Sequence, residues 1–119
     1  MVAVITGGAG GMGRDTAMLF AREGASVVVG DVDADGGAKL VAEAQASNLK
    51  LGFLRTDVSN EADVAALIAK AEADHGKLDT IFNNAGIEQP VTPSDEITEE
   101  LFERVIGINL KGTFFGCKH

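Results

Sequence analysis

Eight residues near the start of the chain, Thr6 to Gly13, read TGGAGGMG and follow directly on the apolar run Val2 to Ile5. A buried strand that feeds straight into a glycine turn and then a helix can fold in few ways. It brings unpaired backbone N–H groups and the positive end of a helix dipole to one point, which suits a phosphate. Glycine serves that point twice: it lets backbone approach a phosphate closely, and it reaches positive φ without strain. The following helix is read from Gly11 to Arg22, with Met12, Thr16, Leu19 and Phe20 on its inward face and Gly24 as its C-terminal cap.

A second strand, Ser26 to Gly30, ends in Asp31. An acidic residue about 20 positions beyond a glycine turn is placed to accept hydrogen bonds from the ribose hydroxyls of an adenosine. Turn and carboxylate together point to a dinucleotide, with Gly7, Ala9, Gly10, Gly11, Met12 and Gly13 at the pyrophosphate and Asp31 and Val32 at the ribose. Free ribose hydroxyls would form charge-assisted bonds with Asp31, whereas a 2′-phosphate would meet it as a like charge, so NAD is expected over NADP. Arg14 lies past the turn and reads as a solvated side chain or a surface ion pair.

Composition narrows the class further. The chain has 119 residues, 45% of them apolar, with 15 Gly and 2 Pro, which suits one compact α/β domain with tight turns. A net charge of -8 argues against a nucleic-acid or membrane-surface partner on electrostatic grounds. Cys117 has no partner for an internal disulfide, and the apolar start is too short for a signal peptide or a membrane span. A cytoplasmic protein with no metal site is expected, with Cys117 as a helix packing residue.

Strand and helix signals alternate to the end. A helix over Asp33 to Ala46 takes Asp33 as N-cap, turns Ala38, Val41 and Ala42 inward and is weakened by Gly36 and Gly37. Leu51 to Thr56 reads as the third strand. Ser59 caps a helix with Val64, Leu67, Ile68 and Ala71 inward and a stop at Gly76, and Thr80 to Asn83 is the fourth strand. A last helix starts near Thr98 and carries apolar residues on more than one face, so partners on both sides are expected. The fourth strand is expected at a sheet edge, although its short apolar run resembles that of an interior strand. Parallel strands with right-handed crossovers predict a doubly wound α/β sheet of order 3-2-1-4, with its crevice beside the glycine turn.

Together with Asp31, Asp57-Val58, the NNAG run Asn83 to Gly86 and Asn109, the glycine turn resembles the short-chain dehydrogenase/reductase family over the whole chain. The turn fits TGxxxGxG through Gly7, Gly11 and Gly13 and also TGxxGxxG through Gly7, Gly10 and Gly13. NNAG and the Leu-Lys-Gly after Asn109 resemble the ordinary single-domain branch. The resemblance implies a Rossmann-type fold, an NAD(P) cofactor, and hydride transfer between nicotinamide and a small alcohol or carbonyl substrate. It places Asp57 and the Val58 backbone at the adenine, and Asn84, Ala85 and Gly86 on the cofactor side. Asn109 matches the catalytic asparagine that holds a water for a lysine relay.

Plain chemistry leaves alternatives beside three of these roles, and Asn109 also reads as a buried mid-helix amide tied to backbone. An Asn-rich strand end also serves to satisfy loose backbone groups, and Asp57 also suits the start of a helix. NADP-preferring relatives carry Arg or Lys where this chain has Gly10 and Val32, which again implies NAD. The family's Ser and Tyr-x-x-x-Lys are missing, since the chain has no tyrosine and Lys111 and Lys118 precede any place for the motif. The chain is therefore expected to be the N-terminal, cofactor-binding part of a longer fold, inactive alone and associating through its last helix as a homo-oligomer. The alternatives are a non-catalytic dinucleotide binder and a remnant without activity.

Overall fold

Val27, Val28 and Val29 are all fully buried, so the second strand has no solvent face. Such a run belongs inside a parallel sheet covered on both sides. The computed structural model describes residues 1–119, with β1 Val2–Thr6, α1 Gly11–Arg22, β2 Ser26–Asp31, α2 Ala34–Ala46, β3 Leu51–Arg55, α3 Glu61–His75 and β4 Thr80–Phe82. A short 3-10 turn, Ser94–Glu96, precedes a helical rod made of α4 Glu99–Val105, a π segment Ile106–Lys111 and α5 Gly112–Lys118. All strand pairs are parallel and the order is β3-β2-β1-β4, as the alternation predicted.

Alternation along the strands divides the core. Ile5, Val27 and Val29 meet Ala17, Met18 and Ala21 of α1 and Leu40 and Ala44 of α2 on one face. Val2, Val4 and Val28 meet Leu67 and Ala71 of α3 on the other, where Val58, Val64 and Ile68 extend the cluster toward Ile81, Ile108 and Phe115. No helix is long and apolar enough to cross a membrane.

Helix phase is where the sequence reading needs correction. In α1 the buried residues are Gly13, Ala17, Met18 and Ala21, while Met12 and Leu19 are exposed. A Cβ on Gly13 would run into Gly7 O and lie 2.5 Å from Asn84 Nδ2. That contact rolls the helix so that Gly13, Ala17, Met18 and Ala21 face the sheet and Met12 and Leu19 turn outward. In α2 the buried residues are Gly37, Leu40 and Ala44; Ala38 and Ala42 are exposed and Val41 is half-buried. Gly37 sets that phase by admitting the ring of Phe53, which a Cβ there would strike.

Caps and strand ends shift by single residues. Asp33 caps α2 as expected, its Oδ1 accepting from Gly36 N at 3.0 Å. The cap of α3 is Asn60 rather than Ser59, with Asn60 Oδ1 accepting from Ala62 N at 2.9 Å. Ser59 is drawn instead to Asp57. Gly76 ends α3 in the left-handed region at φ 76°, and Thr98 caps α4. β3 and β4 each stop one residue earlier than predicted, at Arg55 and Phe82. Cys117 is exposed, because Gly116 takes the packing position beside it. The expectation of a packed thiol is thus overturned.

β4 pairs only with β1 and forms the sheet edge, as the order 3-2-1-4 predicted. The terminal rod buries only Gly112 and Gly116, and Phe102, Leu110 and Phe114 are exposed.

Carboxylates anchor several of these joints. Asp79 Oδ2 accepts from Val2 N at 2.7 Å, tying the start of β1 to the start of β4, and Lys77 Nζ donates to its Oδ1 at 3.0 Å. Lys77 first, then the Val2 amide, holds Asp79 below its ordinary value of 3.8. Lys118 does the same for Glu61, and Lys70 for Asp74. A carboxylate whose folded pKa is depressed adds stability above its unfolded pKa and loses it as pH falls through the folded value. Urea midpoints are therefore expected to be flat from about pH 7 to about pH 5 and to drop through the range below 4. Asp79→Asn should flatten part of that drop.

Candidate functional site

The site begins with one buried hydroxyl. Thr6, at the last residue of β1, is 2% exposed, and its Oγ1 accepts from Asn84 N and Ala85 N, both at 3.1 Å. Asn84 Nδ2 returns two bonds, to Thr6 O at 3.0 Å and Gly7 O at 2.9 Å. These four bonds bolt the chain leaving β1 to the chain leaving β4, at the point where the strand order reverses. Asn84 thus spends both amide hydrogens on the backbone of the glycine turn, which is the structural alternative the sequence left open.

Beyond that bolt lies a cleft of about 430 Å³ at the carboxyl ends of the strands. Its wall gathers ten of the thirteen residues singled out for the cofactor: Gly7, Gly10, Met12, Asp31, Val32, Asp57, Val58, Asn84, Ala85 and Gly86. Ala9, Gly11 and Gly13 are not in the wall. They act from behind it, through the Ala9 amide, the turn at Gly11 and the helix contact of Gly13. Thr56, Ile87 and Ile108 line the cleft without having been singled out. Ile87 directly follows NNAG, and that position was the available clue; Ile108 enters through the π segment, which leaves no mark in the apolar spacing.

The glycines divide by task. Gly7 and Gly11 have φ of 65° and 53°, so the backbone itself requires glycine at these two positions, and Gly13 is required by packing. Gly10 is extended at φ -149° and has no atom within 4 Å of a Cβ. The backbone thus needs Gly7, Gly11 and Gly13, the TGxxxGxG spacing. Gly10 instead keeps space open on the cleft side.

Asp31 stands at the end of β2 with both oxygens partly engaged. Oδ2 accepts from Ala9 N at 2.9 Å and Oδ1 from Asp33 N at 3.0 Å. A carboxylate offers about four acceptor positions, so about two remain for the cleft. Asp57 Oδ1 accepts from Ser59 N at 2.9 Å and Ser59 Oγ at 2.7 Å. The Ser59 hydroxyl and then its amide hold the Asp57 carboxyl below its ordinary value of 3.8, leaving an anionic acceptor in the cleft wall. No Lys or Arg lies in the wall, and Arg14 pairs with Glu43 of α2 and with Asp15 on the outside.

Asn109, the candidate catalytic residue, lies in the π segment. Its Oδ1 accepts from Ile87 N at 2.8 Å and its Nδ2 donates to Ile87 O at 2.9 Å. The side chain thereby pairs with the loop after β4 as a neighbouring strand would, and holds Gly86 and Ile87 against the cleft.

A family model described as short chain dehydrogenase matches residues 1–119. The chain belongs to the short-chain dehydrogenase family. It is 51% identical over 121 residues to momilactone A synthase of Oryza sativa subsp. japonica, covering 99% of this chain and 43% of that one. It is 42% identical over 118 residues to cis-4-hydroxycyclohexanecarboxylate dehydrogenase of Sinomonas cyclohexanicum, covering 99% and 47%. Among solved structures, a 3-ketoacyl-(acyl-carrier-protein) reductase from Brucella melitensis complexed with NADH superposes with a TM-score of 0.92 at 34% identity, covering 98% of this chain and 47% of the other. The chain thus spans about half the length of the short-chain dehydrogenases it matches. Within that span it carries the Rossmann-type half-sheet of this oxidoreductase family.

Proposed function

We propose that residues 1–119 form an NAD-binding unit that presents the cofactor for hydride transfer to or from a small alcohol or carbonyl substrate. The observation that carries this reading is Asp31, which lines the cleft beside the glycine turn and is held by two amides that leave acceptor capacity for a pair of ribose hydroxyls. In this arrangement the amides of the glycine turn face the pyrophosphate, and Asp57 and Val58 receive the adenine. The absence of a cation in the wall disfavours a 2′-phosphate, so NAD is preferred over NADP. The NADH in the Brucella melitensis reductase supports the same cofactor class.

Bound NAD supplies the hydride chemistry, and this chain binds and orients it. No tyrosine is present for proton transfer, so substrate chemistry is assigned to a longer fold of which this unit is part. Asn109 stands in that fold as the residue beside the relay, and its pairing with Ile87 fixes the loop that borders it. The exposed Phe102, Leu110 and Phe114 of the terminal rod make it the surface for self-association.

The test is direct titration. Adding NADH to the 119-residue chain should enhance its fluorescence, and at about 100 times Kd should add about 2.7 kcal/mol of stability. ADP-ribose should compete and NADPH should bind more weakly. Unchanged fluorescence and melting temperature in millimolar NADH would overturn the proposal.

A further inference from the structure

The chain holds four sulfur atoms, in Met1, Met12, Met18 and Cys117. Met18 is 3% exposed in the core between α1 and the sheet. Met1 is 58% exposed but lies beside Leu19, Phe20 and Ala25, away from the residues that line the cleft. Cys117 is exposed on α5, where Asn83 Nδ2 approaches its sulfur at 3.7 Å. Met12 alone combines high exposure, 79%, with a place in the wall of the large cleft. It sits in the first turn of α1, next to the amides of the glycine turn.

We infer that Met12 is a modification site at which peroxide oxidation closes the cleft to NADH. The inference rests on the dinucleotide reading of that cleft. In the step, the Met12 sulfur lone pair attacks one oxygen of hydrogen peroxide and the O–O bond breaks. The sulfur gains that oxygen as a sulfoxide and loses two electrons, and the peroxide is reduced to water. A flexible apolar side chain becomes a strong dipole carrying an acceptor oxygen. The added oxygen brings bulk and an acceptor dipole to the cleft wall in the first turn of α1, directly after the glycine turn, where a dinucleotide would have to lie. Bound dinucleotide in turn covers Met12 and slows the reaction. A thiol-driven sulfoxide reductase would restore the thioether.

The experiment uses the 119-residue chain with Cys117→Ser, which removes the other exposed sulfur outside the methionines. Peroxide is added until peptide mass spectrometry shows Met12 fully converted, and NADH is titrated before and after. The expected result is about a tenfold rise in the Kd for NADH, reversed by sulfoxide reductase with thiol. NADH present during exposure should slow conversion of Met12 severalfold while Met1 converts at its former rate. Met12→Leu, compared with its own untreated form, should show no rise. An unchanged Kd with Met12 fully oxidised overturns the inference, as does an equal rise in Met12→Leu. If the untreated chain fails to bind NADH, the reading of the cleft falls first and the inference falls with it.

Discussion

Asp31→Ala is expected to weaken NADH binding about 30-fold and to bring the affinities for NADH and NADPH close together. Two charge-assisted hydrogen bonds to ribose hydroxyls are lost, each worth about 1.5 to 3 kcal/mol before water replaces part of the contact. The change also frees Ala9 N and Asp33 N, so the glycine turn loosens on the same side. NADPH loses less, because removal of the carboxylate also removes a like charge from the position of its 2′-phosphate. Asp31→Asn keeps one acceptor oxygen and should fall between the two. The measurement is the ratio of the two Kd values by fluorescence titration, and a ratio equal to that of the parent would remove Asp31 from the cofactor site.

The second large effect separates two glycines three residues apart. Gly13→Ala is expected to destabilise the chain by about 3 kcal/mol, because its Cβ meets the Gly7 carbonyl and the Asn84 amide, neither of which can move without breaking the bolt at Thr6. For a domain of this size the melting temperature should fall by roughly 12 °C or more. Gly10→Ala meets no neighbour, and only the poorer N-cap counts against it, by about 1 kcal/mol or less. It should nonetheless bind NADH about tenfold more weakly, since the methyl group enters the cleft wall where a phosphate would lie. Thermal melts and NADH titrations on both variants read the difference. Full affinity in Gly10→Ala would mean that the open space at that residue serves no ligand.

Sheet order, the buried runs of β1 and β2 and the inward face of α3 were readable because each depends on local pattern. Val64, Leu67, Ile68 and Ala71 recur at helical spacing and all are buried. The phases of α1 and α2 were not readable, because Gly13 and Gly37 set them through contacts with Asn84 and Phe53, residues far along the chain. A glycine gives no apolar signal to a periodicity argument, yet it decides which side of a helix comes closest. The same applies to the site. Asp31 follows from its distance to the turn, whereas the acceptor role of Thr6 depends on β4 lying beside β1, and Ile108 reaches the cleft only through a non-α stretch of helix.

That stretch, Ile106–Lys111, has a consequence for chain length. A π turn takes roughly one more residue than an α turn to sweep the same angle. Deleting one residue there would let the segment relax to an α-helix while α4 and α5 kept their mutual phase, so Gly112 would still face Val58 and Gly116 would still face Asn83. The pairing of Asn109 with Ile87 is the contact that would be lost. The helix carries a spare residue, and its effect is to aim one amide at the loop that lines the cleft.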